Sequence, residues 1–186
     1  LRRQRQMCIR DRAYLLGYKP FYGRNFFSRS AALIPRAETE HLIDWVLEKN
    51  VADKSLQLWD IGTGSGIIAI TLKLERPRWE ITASDVSKQA LCLAQQNCDH
   101  LGAQLTLIQG NWFDTTAAVT KNQFDVIISN PPYIDKESPY LEQGDLRFEP
   151  KIALTDEKDG LAAYRVLSKE ALYLSLIHIS EPTRQA

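Results

Sequence analysis

Residues 58–68 read LWDIGTGSGII: an apolar run ending in Asp60, glycines at alternate positions (Gly62, Gly64 and Gly66), then a second apolar stretch with helical period. Glycines allow a tight turn and close approach of a ligand to the backbone, and the start of the next helix offers unpaired N–H groups. The spacing is GxGxG, not the GxGxxG of dinucleotide enzymes, and no Walker lysine follows. The loop itself therefore favours neither nucleotide reading.

The rest of the chain repeats the alternation that this unit begins. Residues 56–61, 80–84, 105–109 and 124–129 are short apolar runs that read as strands, separated by helical stripes over 38–50, 65–75 and 87–101. The last stripe places Leu91, Ala94, Cys98 and Leu101 on one face. Residues 13–32 are rich in aromatics and broken by Gly17, Pro20 and Gly23, which suits short strands and turns. Residues 130–155 form a polar loop with four prolines, and a further helix starts near residue 160. Strands alternating with helices imply right-handed βαβ units and a parallel sheet, hence an α/β fold, and 186 residues suit one such domain.

Both ends fall outside this pattern. Residues 1–12 (LRRQRQMCIRDR) and 174–186 (starting LSLIHISEPTR) resemble in-frame translations of the transposase adapters used in sequencing libraries, and are expected to be non-native tails. The native part is then an internal fragment of a gene. Without the tails, Lys+Arg falls from 23 to 17 and Asp+Glu from 23 to 21, a net charge of −4. An acidic body without a Lys/Arg run argues against a nucleic-acid backbone as the main partner. No apolar stretch approaches membrane-spanning length, and no signal peptide is evident. Cys92 and Cys98 have no metal-ligand spacing and read as small core fillers in a reducing compartment. No metal is expected.

Asp85 ends the second strand beside the glycine loop, where an acidic side chain can accept hydrogen bonds from ribose hydroxyls. Ser129-Asn130-Pro131-Pro132-Tyr133 follows a strand containing Val126, Ile127 and Ile128. Two prolines stop the ladder and hold Asn130 in an extended pose. The Asn130 side-chain oxygen and the Pro131 carbonyl then form a pair of fixed acceptors, which suits an NH₂ group, and the Tyr133 ring can pack on a planar amide or base. An amide nitrogen is a poor nucleophile, and acceptors on both hydrogens hold it toward an electrophilic methyl while favouring the charge that builds there.

The D-x-G-x-G-x-G run with its acidic strand tip resembles the class I S-adenosylmethionine-dependent methyltransferases, which have a Rossmann-like, mostly parallel sheet. That likeness implies a cofactor site made of Asp60, Gly62, Thr63, Gly64, Ser65, Gly66, Asp85, Trp112 and Asn130. The loop would lie on the methionine moiety, with Asp85 on the ribose and Trp112 near the adenine. NPPY resembles the motif of amino-group methyltransferases that act on adenine N6 or on glutamine amides. With LIPRAETE at 33–40 and QGDLRFEP at 143–150, the chain is similar, from about Tyr14 to Tyr173, to the HemK/PrmC family.

The HemK/PrmC resemblance implies methyl transfer from S-adenosyl-L-methionine to the side-chain amide nitrogen of the glutamine in the GGQ motif of peptide chain release factors, in the cytoplasm, by a monomeric enzyme with no direct nucleic-acid contact. Asn130, Pro131 and Tyr133 would be catalytic, and together with Pro132 they would bind the substrate. Arg36 and Glu40 would either shape the site or form surface ion pairs; Arg147 and Glu149 would likewise either shape the site or simply stabilise the long loop. The expected organisation is a tail at 1–12, a linker and β-hairpin at 13–36 after a missing helical domain, a partial catalytic domain at 37–173 lacking its C-terminal strands, and a tail at 174–186. Four sheet strands with an open edge leave apolar surface uncovered, so the chain as written is expected to fold poorly and to be inactive. The alternatives are a ribosomal-protein glutamine methyltransferase, an adenine-N6 nucleic-acid methyltransferase, and a binding module that has lost catalysis.

Overall fold

Alternation of burial along two central strands sets the layers of the molecule. Leu58, Val126 and Ile128 face one side of a sheet, and Trp59, Ile61 and Ile127 the other; all are buried. The computed structural model describes residues 13, 16–50, 54–117, 124–142, 149–170 and 175–180. The sheet contains β3 (Gln57–Ile61), β4 (Glu80–Asp85), β5 (Thr106–Gln109), β6 (Phe124–Ser129) and β7 (Ser175–Ser180), in the order β5-β4-β3-β6-β7. Every pairing is parallel.

Ahead of the sheet lies an antiparallel hairpin of β1 (Tyr18–Phe21) and β2 (Arg24–Phe27). The helices are α1 (Glu38–Lys49), α2 (Ile67–Glu75), α3 (Lys88–Leu101) and α4 (Ala162–Glu170). One face of the sheet shares a core with Phe21 and Phe26 of the hairpin, Ile43 and Val46 of α1, and Ile70 and Leu72 of α2. On the other face, Trp59 packs edge-on against Phe113, with ring centroids 5.6 Å apart, and Leu167 of α4 completes that cluster. No helix among the described residues is long and apolar enough to cross a membrane.

The ends of α3 follow local rules. Ser87 Oγ accepts the Ala90 N–H at 3.2 Å at its start, and Gly102, in the left-handed region at φ 72°, closes it. Cys98 is buried on this helix, but Cys92 is exposed, so only Cys98 fills core. Six residues at 3.6 per turn put the two thiols on different faces.

A larger difference concerns the sheet edge. Four sheet strands are expected from the sequence, and the described residues form five. The fifth, β7, lies within the adapter-like stretch and pairs along β6, with Phe124 opposite Ser175, Val126 opposite Ile177 and Ser129 opposite Ser180. A polar/apolar alternation such as SLIHIS can take an edge position whatever its origin, because backbone pairing there requires period more than identity. Residues 1–12 lie outside the described residues.

Candidate active site

Parallel register brings the expected motifs together. Ile61 stands opposite Ser84 and Ser129, and Asp85 opposite Gln109, so the loops after β3, β4, β5 and β6 leave the sheet at one level. β4 and β5 lie on one side of β3 and β6 on the other, which opens a crevice at the strands' carboxyl ends. A cavity of about 500 Å³ fills it. Gly62, Thr63, Gly64, Ser65, Asp85, Trp112, Asn130, Pro131 and Pro132 all line this cavity.

The glycine loop is fastened from below. The Gly62 and Thr63 N–H groups both donate to the Ser84 carbonyl at 2.9 Å, and the Thr63 hydroxyl donates to Asp60 Oδ2 at 2.6 Å. Asp60 is fully buried under the loop and does not reach the cavity; its Oδ1 has no well-formed hydrogen bond. Burial pushes its carboxyl up to about 7, against the lowering effect of the Thr63 hydroxyl and the Ala69 amide. Gly66 also stays off the cavity and serves packing: at φ 82°, a Cβ there would sit 2.8 Å from Ile70 Cδ1 and 3.2 Å from Ala94 Cβ.

Asp85 works twice. Its Oδ2 accepts the Gly64 N–H at 2.9 Å and its Oδ1 the Ser87 N–H at 2.8 Å, while the carboxylate still borders the cavity. Burial raises its pKa, with these amides pulling the other way. Trp112 follows Gly110 and Asn111 on the same wall. Its φ of 47° lies in the left-handed region, so the ring is held there at a backbone cost of about 1–3 kcal/mol.

Asn130 is half-buried and lines the cavity with Pro131 and Pro132, at the end of β6 beside the strand that leads into the glycine loop. Tyr133 does not line the cavity: its carbonyl lies against Gly160, and its charge when ionised adds to the burial that pushes Tyr164 up to about 12. Arg36 borders the cavity and donates from Nη2 to Glu149 Oε1 at 2.7 Å. The Glu149 side chain is wholly buried and also accepts the Ile34 N–H at 3.3 Å, so it joins residues 33–40 to the end of the long loop. Glu40 turns away and accepts the Tyr22 N–H at 2.8 Å. Arg147 lies outside the described residues.

The wall formed by Thr155, Asp156, Glu157 and Lys158 has no counterpart among the sequence expectations. Asp156 organises it: Oδ1 accepts the N–H groups of Lys158 at 2.9 Å and Gly160 at 3.0 Å, and Oδ2 that of Ala162 at 2.7 Å. Partial burial opposes ionisation, but these amides hold the Asp156 carboxyl below the usual carboxylate range. The one available signal was the run of Asp156, Asp159 and Gly160 just before a helix, a capping composition.

Comparison with known proteins agrees with this geometry. A release factor glutamine methyltransferase of Neisseria gonorrhoeae is 48% identical over 168 residues, which are 90% of this chain and 60% of that protein. One from Escherichia coli K12 is 39% identical over 175 residues, 94% of this chain and 57% of that protein. The chain thus spans about 60% of the length of these relatives. Among solved structures, a methyltransferase from Pyrococcus furiosus superposes with a TM-score of 0.64 at 18% identity, covering 95% of this chain and 80% of that one. The hMettl16 catalytic domain in complex with the MAT2A 3'UTR hairpin 6 gives 0.60 at 19% identity, covering 81% and 57%. Both show likeness of fold. Residues 38–142 match the family model described as the methyltransferase small domain. With more than half its length matched and the glycine loop and NPPY turn inside the matched span, this chain belongs to the methyltransferase small domain family.

Proposed function

We propose that this site binds S-adenosylmethionine and transfers its methyl group to the side-chain amide nitrogen of the glutamine in the GGQ motif of peptide chain release factors. One observation carries the reading: the glycine loop, Asp85 and the Asn130-Pro131-Pro132 turn line one cavity of about 500 Å³. That volume is in the usual range for a small-molecule site. The groups present fit the cofactor. The Asp85 carboxylate is an acceptor for ribose hydroxyls, Gly62 and Gly64 keep side chains out of the loop, and Trp112 offers a flat wall.

When bound, S-adenosylmethionine supplies an electrophilic methyl. The chain's own part is orientation. The Asn130 side-chain oxygen and the Pro131 carbonyl accept the two hydrogens of the glutamine amide, which directs its nitrogen at the methyl and stabilises the positive charge that develops as the new bond forms. Tyr133 stays off the cavity and supports the turn through its backbone, against Gly160. The proton leaves after transfer, so no general base is required in the turn. Names of relatives at 48% and 39% identity favour glutamine in a release factor over adenine as the acceptor. The same reading puts the protein in the cytoplasm as a monomer that acts on protein without binding nucleic acid directly.

The test is a chimera in which residues 16–170 replace the matching segment of the N. gonorrhoeae relative, incubated with S-adenosylmethionine and unmodified release factor. Peptide mass spectrometry is expected to find one methyl, on the GGQ glutamine. A folded, cofactor-binding chimera that leaves this glutamine bare, or instead methylates a ribosomal protein or adenine, overturns the substrate choice.

A further inference from the structure

We infer that Gly160 is a positioning residue for the NPPY turn, acting through the backbone of Tyr133; this deepens the reading above and rests on it. Gly160 is buried and has φ 74°. A Cβ built on it would stand 2.4 Å from the Tyr133 carbonyl oxygen, 3.1 Å from the Tyr133 carbonyl carbon and 3.2 Å from the Asp135 nitrogen. Real side chains do not approach backbone this closely, and a rigid turn cannot move aside as the end of a long side chain can. The two segments touch here only because this position has no side chain.

Three further observations show that the approach is built. The Ile134 N–H donates to the Leu154 carbonyl at 2.9 Å and the Lys136 N–H to the Lys158 carbonyl at 3.1 Å, with Ile134 and Thr155 paired as an isolated parallel bridge. Asp156 takes the amides of Lys158, Gly160 and Ala162, which fixes the strap to the first turn of α4. Thr155 to Lys158 also face the cavity. One segment therefore forms a wall of the site and sets the height of the turn that presents Asn130. A side chain at Gly160 pushes the Tyr133 carbonyl away and tilts Asn130 and the Pro131 carbonyl off the amide, while the glycine loop and Asp85, on other strands, keep their places. The effect belongs in kcat more than in cofactor affinity.

The test uses Gly160→Ala, with Leu161→Ala, an exposed neighbour, as control. In the full chain, amide exchange at Ile134 and Lys136 is expected to speed up by about tenfold or more in Gly160→Ala, with S-adenosylmethionine affinity within about threefold of the parent. In the chimera the same substitution is expected to lower kcat roughly 10–100-fold, the scale for misplacing a reacting group by about an ångström, with KM little changed. Leu161→Ala should do neither. Should Gly160→Ala fail to fold, Asp156→Asn adds no bulk and turns an NH₂ toward one of the three amides; it is expected to move exchange and kcat the same way, by less. Unchanged protection at Ile134 and Lys136, or unchanged kcat in a folded variant, overturns the inference, as does a kcat loss matched by lost cofactor affinity. A chimera inert before any substitution instead refutes the functional reading, and the exchange arm still decides the role of Gly160.

Discussion

The Gly64 backbone N–H donates to Asp85 Oδ2 at 2.9 Å, so the carboxylate assigned to the ribose also holds the glycine loop in place. Ligand contact and loop geometry are joined in one side chain. Asp85→Ala is therefore expected to weaken S-adenosylmethionine binding by roughly 10–100-fold, since hydrogen bonds to a charged group contribute about 1.5–3 kcal/mol each. Calorimetric titration measures it. Affinity equal to the parent's would remove Asp85 from the site.

Asn130→Ala should separate binding from turnover. The side chain lines the same cavity as the glycine loop, one position past Ser129, which pairs with Ile61, so cofactor affinity should fall far less than turnover. Turnover on release factor should fall roughly 10²–10³-fold, as for loss of one oriented polar group at a reacting centre. Steady-state assays in the chimera decide; near-normal kcat ends the proposed role.

Buried Asp60 gives stability a definite pH slope. Its pKa is pushed from the ordinary 3.8 up to about 7 in the fold. Between those values the folded chain holds more protons than the unfolded one, so this group's contribution falls as pH rises through that window and is lost above it. Asp85, whose pKa is also raised, adds slope of the same sign. Asp60→Asn, neutral throughout, should melt at a higher temperature than the parent at about pH 8, with the gap narrowing toward about pH 5. Parallel melting curves across that range would contradict this account.

β7 carries a stability prediction. Val126, Ile127 and Ile128 of β6 are at most 2% exposed, and β7 pairs along that strand. The open edge behind the expectation of poor folding is occupied by β7, so the full chain is now expected to melt cooperatively, and a chain ending at residue 173 to lose that transition and bind a hydrophobic dye. Equal melting temperatures for the two would mean that β7 contributes nothing.

Much of this molecule could be read from local sequence. The helix from Glu38, the strand before the glycine loop and the helix ending near Leu101 lie within a residue or two of where apolar period and Gly or Pro punctuation put them. The glycine loop, Asp85 and Asn130 share a cavity because parallel strands carry their loops to one level, a relation that strand–helix alternation already implies. Other features were not legible, for physical reasons. Asp60, at the end of its strand, reads as a ligand group, but which side of a loop a side chain enters depends on the packing of α2 above it. The wall from Thr155 to Lys158 is built by Asp156 gathering amides and by backbone bonds to residues some twenty positions earlier, and such bonds leave no side-chain pattern. The β7 pairing leaves no such mark either: SLIHIS alternates as a strand does, but alternation alone names no partner strand.

All five sheet strands run the same way, so the molecule has a working end and a blank one. Every described loop that borders the cavity after a strand leaves by the carboxyl edge, whereas the turn at Gly102, which has open space around it, leaves at the other. An affinity tag or fluorophore inserted beside Gly102 would therefore sit behind the sheet, and the protein could be tethered to a surface there with its mouth facing outward.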